Sequence, residues 1–208
     1  MTKKLHVSFI LDETGSMMSV KGQTISGFNE YLDTLKSEKN SGNIRFTLTQ
    51  FNSDKVQVVC DGVKLAKVKP LNDESYRPLA MTPLYDAIGR TIRALEKKLD
   101  SKKKPKALVV IQTDGQENCS KEFSRQDIHD LIDEKKKAGW TFAFIGADQD
   151  AWLAGQTIGI SKGNVMSYDS KQTRKAFSTV AAASVAYSRS DGIQTDCFFE
   201  KDASTVSN

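Results

Sequence analysis

Short, nearly continuous apolar runs alternate along this chain with longer stretches in which apolar residues recur every three or four positions. Leu5 to Leu11 is apolar except for His6 and Ser8, the pattern of a strand buried on both faces as in a parallel sheet. Polar residues follow at once. From Gly22 to Lys36, Ile25, Phe28, Tyr31, Leu32 and Leu35 recur at helical spacing, so one stripe of a helix can pack on that sheet. Ile44 to Phe51 alternates, Val56 to Cys60 is a second β-branched run, and Asn52-Ser53-Asp54 between them indicates an antiparallel hairpin at a sheet edge. Residues 61–81 read as irregular and polar. Thr82 and Pro83 then stand where an N-cap and first helical position belong, ahead of Leu84, Ala87, Ile88, Ile92, Leu95 and Leu99.

The second half repeats the scheme. Ala107 to Ile111 is a short buried strand, and Ser124 with Asp127 forms a capping-box signature for a helix carrying Ile128, Leu131 and Ile132. Thr141 to Ile145 is the next strand, 150–157 a short helix, Val165 to Tyr168 a last strand, and Thr173 to Tyr187 an alanine-rich final helix. Strands alternating with helices of this length predict an α/β, Rossmann-like three-layer sandwich. Its central sheet is mostly parallel, with one antiparallel edge strand and helices on both faces. Residues 1–190 form the domain. Residues 191–208 read as a polar, flexible tail, in which Phe198 and Phe199 could dock on the domain or on a partner.

Composition narrows function only in places. A chain of 208 residues with 38% hydrophobic content supports one well-packed core and not two. Its net charge of +4 is a small excess of 30 basic over 26 acidic residues, which gives no reason to expect nucleic acid. The runs Lys102–Lys104 with Lys106, and Lys135–Lys137, have no aromatic interleaving and read as solvated. No apolar run is long enough to span a bilayer. The segment after Lys3-Lys4 is too short and lacks the cleavage site of a leader, so it reads as a buried strand. Cys60, Cys119 and Cys197 are odd in number and form no CxxC pair, so a reducing compartment, the cytoplasm, is expected. His6 lies in a strand and His129 on an amphipathic helix, and neither is assigned a role.

In open α/β sheets ligands bind at the carboxyl ends of the strands. Three places there carry oxygen donors: Asp12-Glu13-Thr14-Gly15-Ser16 after the first strand, Thr82 before the second main helix, and Thr113-Asp114-Gly115 after the central strand. Magnesium takes a near-octahedral oxygen shell, keeps several waters and needs only one or two protein carboxylates. Two aspartates and three hydroxyls meet that demand.

These motifs, DxTxS, the threonine of TPLYDAI, and TDG after a buried strand, resemble the metal-ion-dependent adhesion site of von Willebrand factor A domains. The resemblance covers about residues 4–190. Its closing stretch (GADQDAW, IGISKGN, MSY and an alanine-rich helix) is similar to small stand-alone bacterial and phage members. The resemblance implies that Thr14 and Ser16 ligate the metal through their hydroxyls, that Thr82 binds directly or through water, and that Asp12 and Asp114 act largely through water. The usual first serine of the motif is threonine here, which keeps the hydroxyl. Magnesium is the implied ion, with manganese or calcium as alternatives, and its open position would be filled by an Asp or Glu of a protein partner. Glu13, Glu117, Asn118, Asp148 and Asp150 are placed on the rim, where they would tune specificity. Two rival readings stand beside this non-enzymatic one. A magnesium-dependent phosphohydrolase would use Asp12 as nucleophile, but it needs an acid two residues on, where Thr14 stands. A scaffold would use the metal only to stiffen its loops.

Overall fold

The computed structural model describes residues 4–99, 106–147, 151–190 and 195–199. Strand β1 (Leu5–Asp12) leads through a 3-10 turn (Gly15–Val20) into α1 (Lys21–Lys36), and β2 (Ile44–Asn52) and β3 (Lys55–Lys64) form a hairpin. Helix α2 (Leu84–Lys98) precedes β4 (Lys106–Thr113), α3 (Arg125–Lys137) precedes β5 (Thr141–Ala147), and α4 (Ala151–Thr157) precedes β6 (Val165–Tyr168). Helix α5 (Thr173–Arg189) follows. The sheet order is β3-β2-β1-β4-β5-β6. Every pairing is parallel except the β2–β3 hairpin at the edge. This is the expected three-layer α/β sandwich.

Period-two alternation on the buried strands divides the core in two. Val7, Phe9 and Leu11 of β1, Leu108 and Val110 of β4, and Ala143 and Ile145 of β5 pack with α1 and α5. Ile10, Val109, Ile111, Phe142 and Phe144 face the other way, onto α2 and α3. On the first face Phe9 meets Phe28 edge-on at 5.4 Å between ring centroids and stacks on Phe177 at 6.0 Å, which locks α1 and α5 to the same strand. No helix among the described residues is long and apolar enough to cross a membrane.

Several sequence expectations require correction. Strand β3 continues to Lys64, into the stretch read as irregular from residue 61, because register shifts between Phe46 and Thr49 let the strand pass Asp61 and Gly62 and pair again at Val63. The N-cap of α2 is Pro83, not Thr82, and the cap residue itself supplies no side-chain hydrogen bond. Lys106 is not a solvated loop residue: it is the first residue of β4 and is buried, with its ammonium donating to Ser190 O at 2.6 Å and lying 4.7 Å from the Tyr187 ring centroid. Lys135 is likewise buried, its stem in the core and its ammonium paired with Glu96 and Glu134. Past α5, Phe198 packs on the domain: it is 6% exposed, meets Tyr187 edge-on and donates its N–H to Asn164 Oδ1 at 2.8 Å.

Candidate metal centre

The chain leaves β1 for β2 on one side and later returns to β4 on the other, so strand order reverses between β1 and β4. At such a switch point the connections diverge to opposite faces and leave a crevice at the strands' carboxyl ends. Asp12 closes β1, Thr113 closes β4, and Thr82 enters from the segment before α2. All three motifs therefore meet at one place.

The donors form a connected set. Thr14 N–H donates to Asp12 Oδ1 at 2.7 Å and Thr113 Oγ1 to Asp12 Oδ2 at 2.5 Å, so both oxygens of this fully buried carboxylate are held. Thr14 Oγ1 and Ser16 Oγ lie 3.2 Å apart, and Ser16 Oγ donates to Asp114 Oδ1 at 2.6 Å. Gly115 brings in the last hydroxyl. A Cβ placed on Gly115 would sit 3.0 Å from Thr82 Oγ1 and 3.5 Å from Ser16 Oγ, so glycine is what permits this approach. Burial pushes the Asp12 carboxyl up to about 6, against the hydrogen bonds from Thr113 and Thr14 and with help from the Asp114 charge. A cation beside Asp12 would reverse that preference.

The supporting residues differ from the expected rim. Glu13 is 1% exposed and is a hub: its Oε1 accepts from Arg77 N–H at 2.6 Å, Oε2 lies 3.1 Å from the Lys55 ammonium without a well-directed hydrogen bond, and its carbonyl accepts from Leu79 N–H at 3.0 Å. It thus ties the loop after β1 to the hairpin and to residues 77–80, and it cannot tune specificity from a rim. Glu117 is also structural. Its carboxylate accepts from the N–H groups of Cys119, Ser120 and Tyr85, the last at the start of α2, where negative charge is favoured. Asn118 is exposed but positions Thr82, exchanging hydrogen bonds of 2.8 and 3.1 Å with its backbone. Asp148 and Asp150 lie outside the described residues.

Sequence reasoning missed two contributors. Tyr76 is buried and donates its hydroxyl to Asp12 O at 2.6 Å; its only signal was a lone aromatic in a polar stretch. Ala80 adopts φ +65, a left-handed conformation uncommon outside glycine, and its carbonyl accepts from Gly15 N–H at 3.0 Å. Nothing in the local sequence marks it.

The donor set suits a hard cation. Among the described residues no group of three or more His, Cys, Asp or Glu comes together, which removes the donors that soft or structural zinc sites use. Two carboxylates and three hydroxyls remain, all oxygen, and magnesium with retained waters fits such a set.

A model of the von Willebrand factor type A domain matches residues 6–182. No curated protein sequence matches the chain. Among solved structures, the vWF domain of the type V pili tip protein Mfa5 from Porphyromonas gingivalis superposes with a TM-score of 0.68 at 10% identity, over 91% of this chain and 98% of that one. The pilus adhesin SpaC from Lactobacillus rhamnosus GG gives 0.68 at 13% identity, over 88% of this chain and 30% of that one. Proximal thread matrix protein 1 from the mussel byssus, solved with a zinc-occupied MIDAS motif, gives 0.62 at 15% identity over 86% of this chain. The chain spans about half the length of that mussel protein, 47%. At these identities the structures share the fold.

Proposed function

Because the chain belongs to the von Willebrand factor type A domain family, we propose that it is a protein-interaction module whose divalent metal is completed by an acidic residue of a partner. The observation that carries this reading is the convergence of Asp12, Thr14, Ser16, Asp114 and Thr82 at the β1/β4 switch point, linked from Thr14 through Ser16 to Asp114. In this proposal the hydroxyls of Thr14, Ser16 and Thr82 hold the ion, and Asp12 and Asp114 hold its waters. An ion touched mainly by neutral oxygens keeps its positive charge available, which is what an incoming Asp or Glu needs. Magnesium is the proposed ion, with manganese or calcium able to replace it.

A non-catalytic role is supported by Asp12 itself. Both of its oxygens are engaged by fixed donors and it is fully buried, so it has no path to in-line attack on a phosphorus centre. Three free thiols, Cys60, Cys119 and Cys197, support the proposal of a cytoplasmic protein.

The test is calorimetric titration of chelator-treated protein with magnesium and manganese, beside Asp114→Ala. One-site binding that the substitution abolishes is expected. Absence of binding in the wild-type protein, or hydrolysis of p-nitrophenyl phosphate that Asp12→Asn removes, would overturn the reading in favour of a scaffold or a phosphohydrolase.

A further inference from the structure

The surface around the metal centre is apolar in a way its chemistry does not require. Isolated exposed leucines are ordinary on proteins, whereas clusters beside a binding centre are informative. Met18 is 57% exposed, Leu79 43% and Met81 55%, and the backbone of each lies within a few residues of, or is hydrogen-bonded to, the loop that carries Thr14 and Ser16 or the segment that carries Thr82. Met18 lies two residues after Ser16 on the 3-10 turn. Met81 directly precedes Thr82, and the hydrogen bond from Gly15 N–H to Ala80 O holds Leu79 and Met81 alongside the metal loop. The left-handed Ala80 turns the chain between them. Met81 also lines a cavity of about 300 Å³ whose charged residues are balanced, Lys55, Arg90 and Lys121 against Asp54, Asp86 and Glu122. Among the described residues Arg90 is paired with Glu122 and Lys55 with Glu13, while Lys121 takes no ion pair. The patch therefore combines a candidate cation-binding centre with an apolar border.

We propose that Met18, Leu79 and Met81 form a collar that reads the residues flanking the partner's carboxylate. The preferred partner is then an extended protein segment with large apolar residues two positions before and after its Asp or Glu. The inference rests on the metal-bridged reading above. Charge complementarity fixes the acid, since a bound cation favours an anionic group at its open position. The spacing follows from strand geometry: side chains on the same face of an extended chain lie two residues apart, about 7 Å along it. With the acid at the metal, those neighbours point down onto a collar that begins one or two residues from Thr82 and Ser16. Methionine suits the task because its unbranched thioether adapts to several apolar shapes.

Two capped pentapeptides, Leu-Ser-Asp-Ser-Leu and Ser-Ser-Asp-Ser-Ser, test the collar by fluorescence or NMR titration in magnesium and in chelator, with metal affinity measured separately. Wild-type protein should bind the leucine peptide about tenfold more tightly, as partial burial of two leucines implies, and should lose both peptides in chelator. Met18→Ser/Leu79→Ser/Met81→Ser should reduce the preference to under about twofold, and Val58→Ser/Val59→Ser, exposed on β3, should leave it intact. Equal wild-type affinities with magnesium dependence retained would overturn the collar and leave the metal-bridged function standing. A preference that survives in the triple variant, or disappears in the β3 variant, would also overturn it. Failure of the protein to bind metal at all would instead remove the function on which the collar depends.

Discussion

Single side chains set the geometry of the centre, and three of them give distinct expectations. Gly115 is the clearest. Thr82 cannot retreat from an added Cβ because both its backbone groups are held by Asn118. Gly115→Ala should therefore lower magnesium affinity about tenfold, ~1.4 kcal/mol, in a calorimetric titration, while the circular dichroism spectrum stays that of the wild type. Glu13→Ala removes the charged acceptor of Arg77 N–H and the buried partner of the exposed Lys55 ammonium. Urea unfolding should show a loss of about 2–3 kcal/mol, the usual result of breaking a buried charged hydrogen bond. His6 supplies a pH dependence. Burial, then the charges of Arg45 and Lys4, hold its pKa below the ordinary 6.5. The unfolded chain therefore binds the proton more readily, and stability falls as pH drops through 6.5. In His6→Gln that part of the decline should vanish from urea midpoints measured between pH 7 and pH 5.

At the scale of elements, α2 and the loop after β4 cap one another. Asp86 in the first turn of α2 accepts from the N–H groups of Lys121, Glu122 and Phe123 at 2.9, 2.9 and 3.0 Å, and Glu117 accepts from Tyr85 N–H in return. Burial pushes the Asp86 carboxyl up, but the three backbone donors outweigh it and hold the group below the usual carboxylate range. Its stabilising contribution is thus complete at neutral pH and is lost as pH falls through that lowered value. Asp86→Ala should cost about 1–3 kcal/mol in urea unfolding, since three part-buried backbone donors lose their charged acceptor. Element boundaries near this junction were the least legible. Thr82-Pro83 has the composition of a helix start, yet Thr82 bonds to Asn118, far along the chain, and Pro83 takes the cap. The Ser124–Asp127 capping box was legible because both its bonds are local, and both are present.

For the whole molecule, the centre lies where two halves of the sheet diverge, so a bound ion would cross-link β1, the segment before α2 and the loop after β4. An ion that binds only the folded chain stabilises it by mass action, about 2.7 kcal/mol at a hundred times its dissociation constant. That corresponds to a rise in Tm of roughly 5–10 °C for a chain of this length, and Asp114→Ala should show none of it. At the opposite end of the sheet, Phe198 is buried against Tyr187 and anchored to Asn164. Phe198→Ala should cost about 3 kcal/mol, which a urea titration would register. The sequence alone determined the order of strands and helices, the parallel sheet with its hairpin edge, and the oxygen donors at the strand ends. Those depend on period-two and period-3.6 burial and on motifs a few residues long. Only the tertiary structure decided that Glu13 is a buried strut and Glu117 a half-buried one, each tied to backbone N–H groups, that Tyr76 braces Asp12, and that Lys106, Lys135 and Phe198 belong to the interior. Each of those depends on a partner distant in sequence, and burial set by distant partners leaves no local period to read.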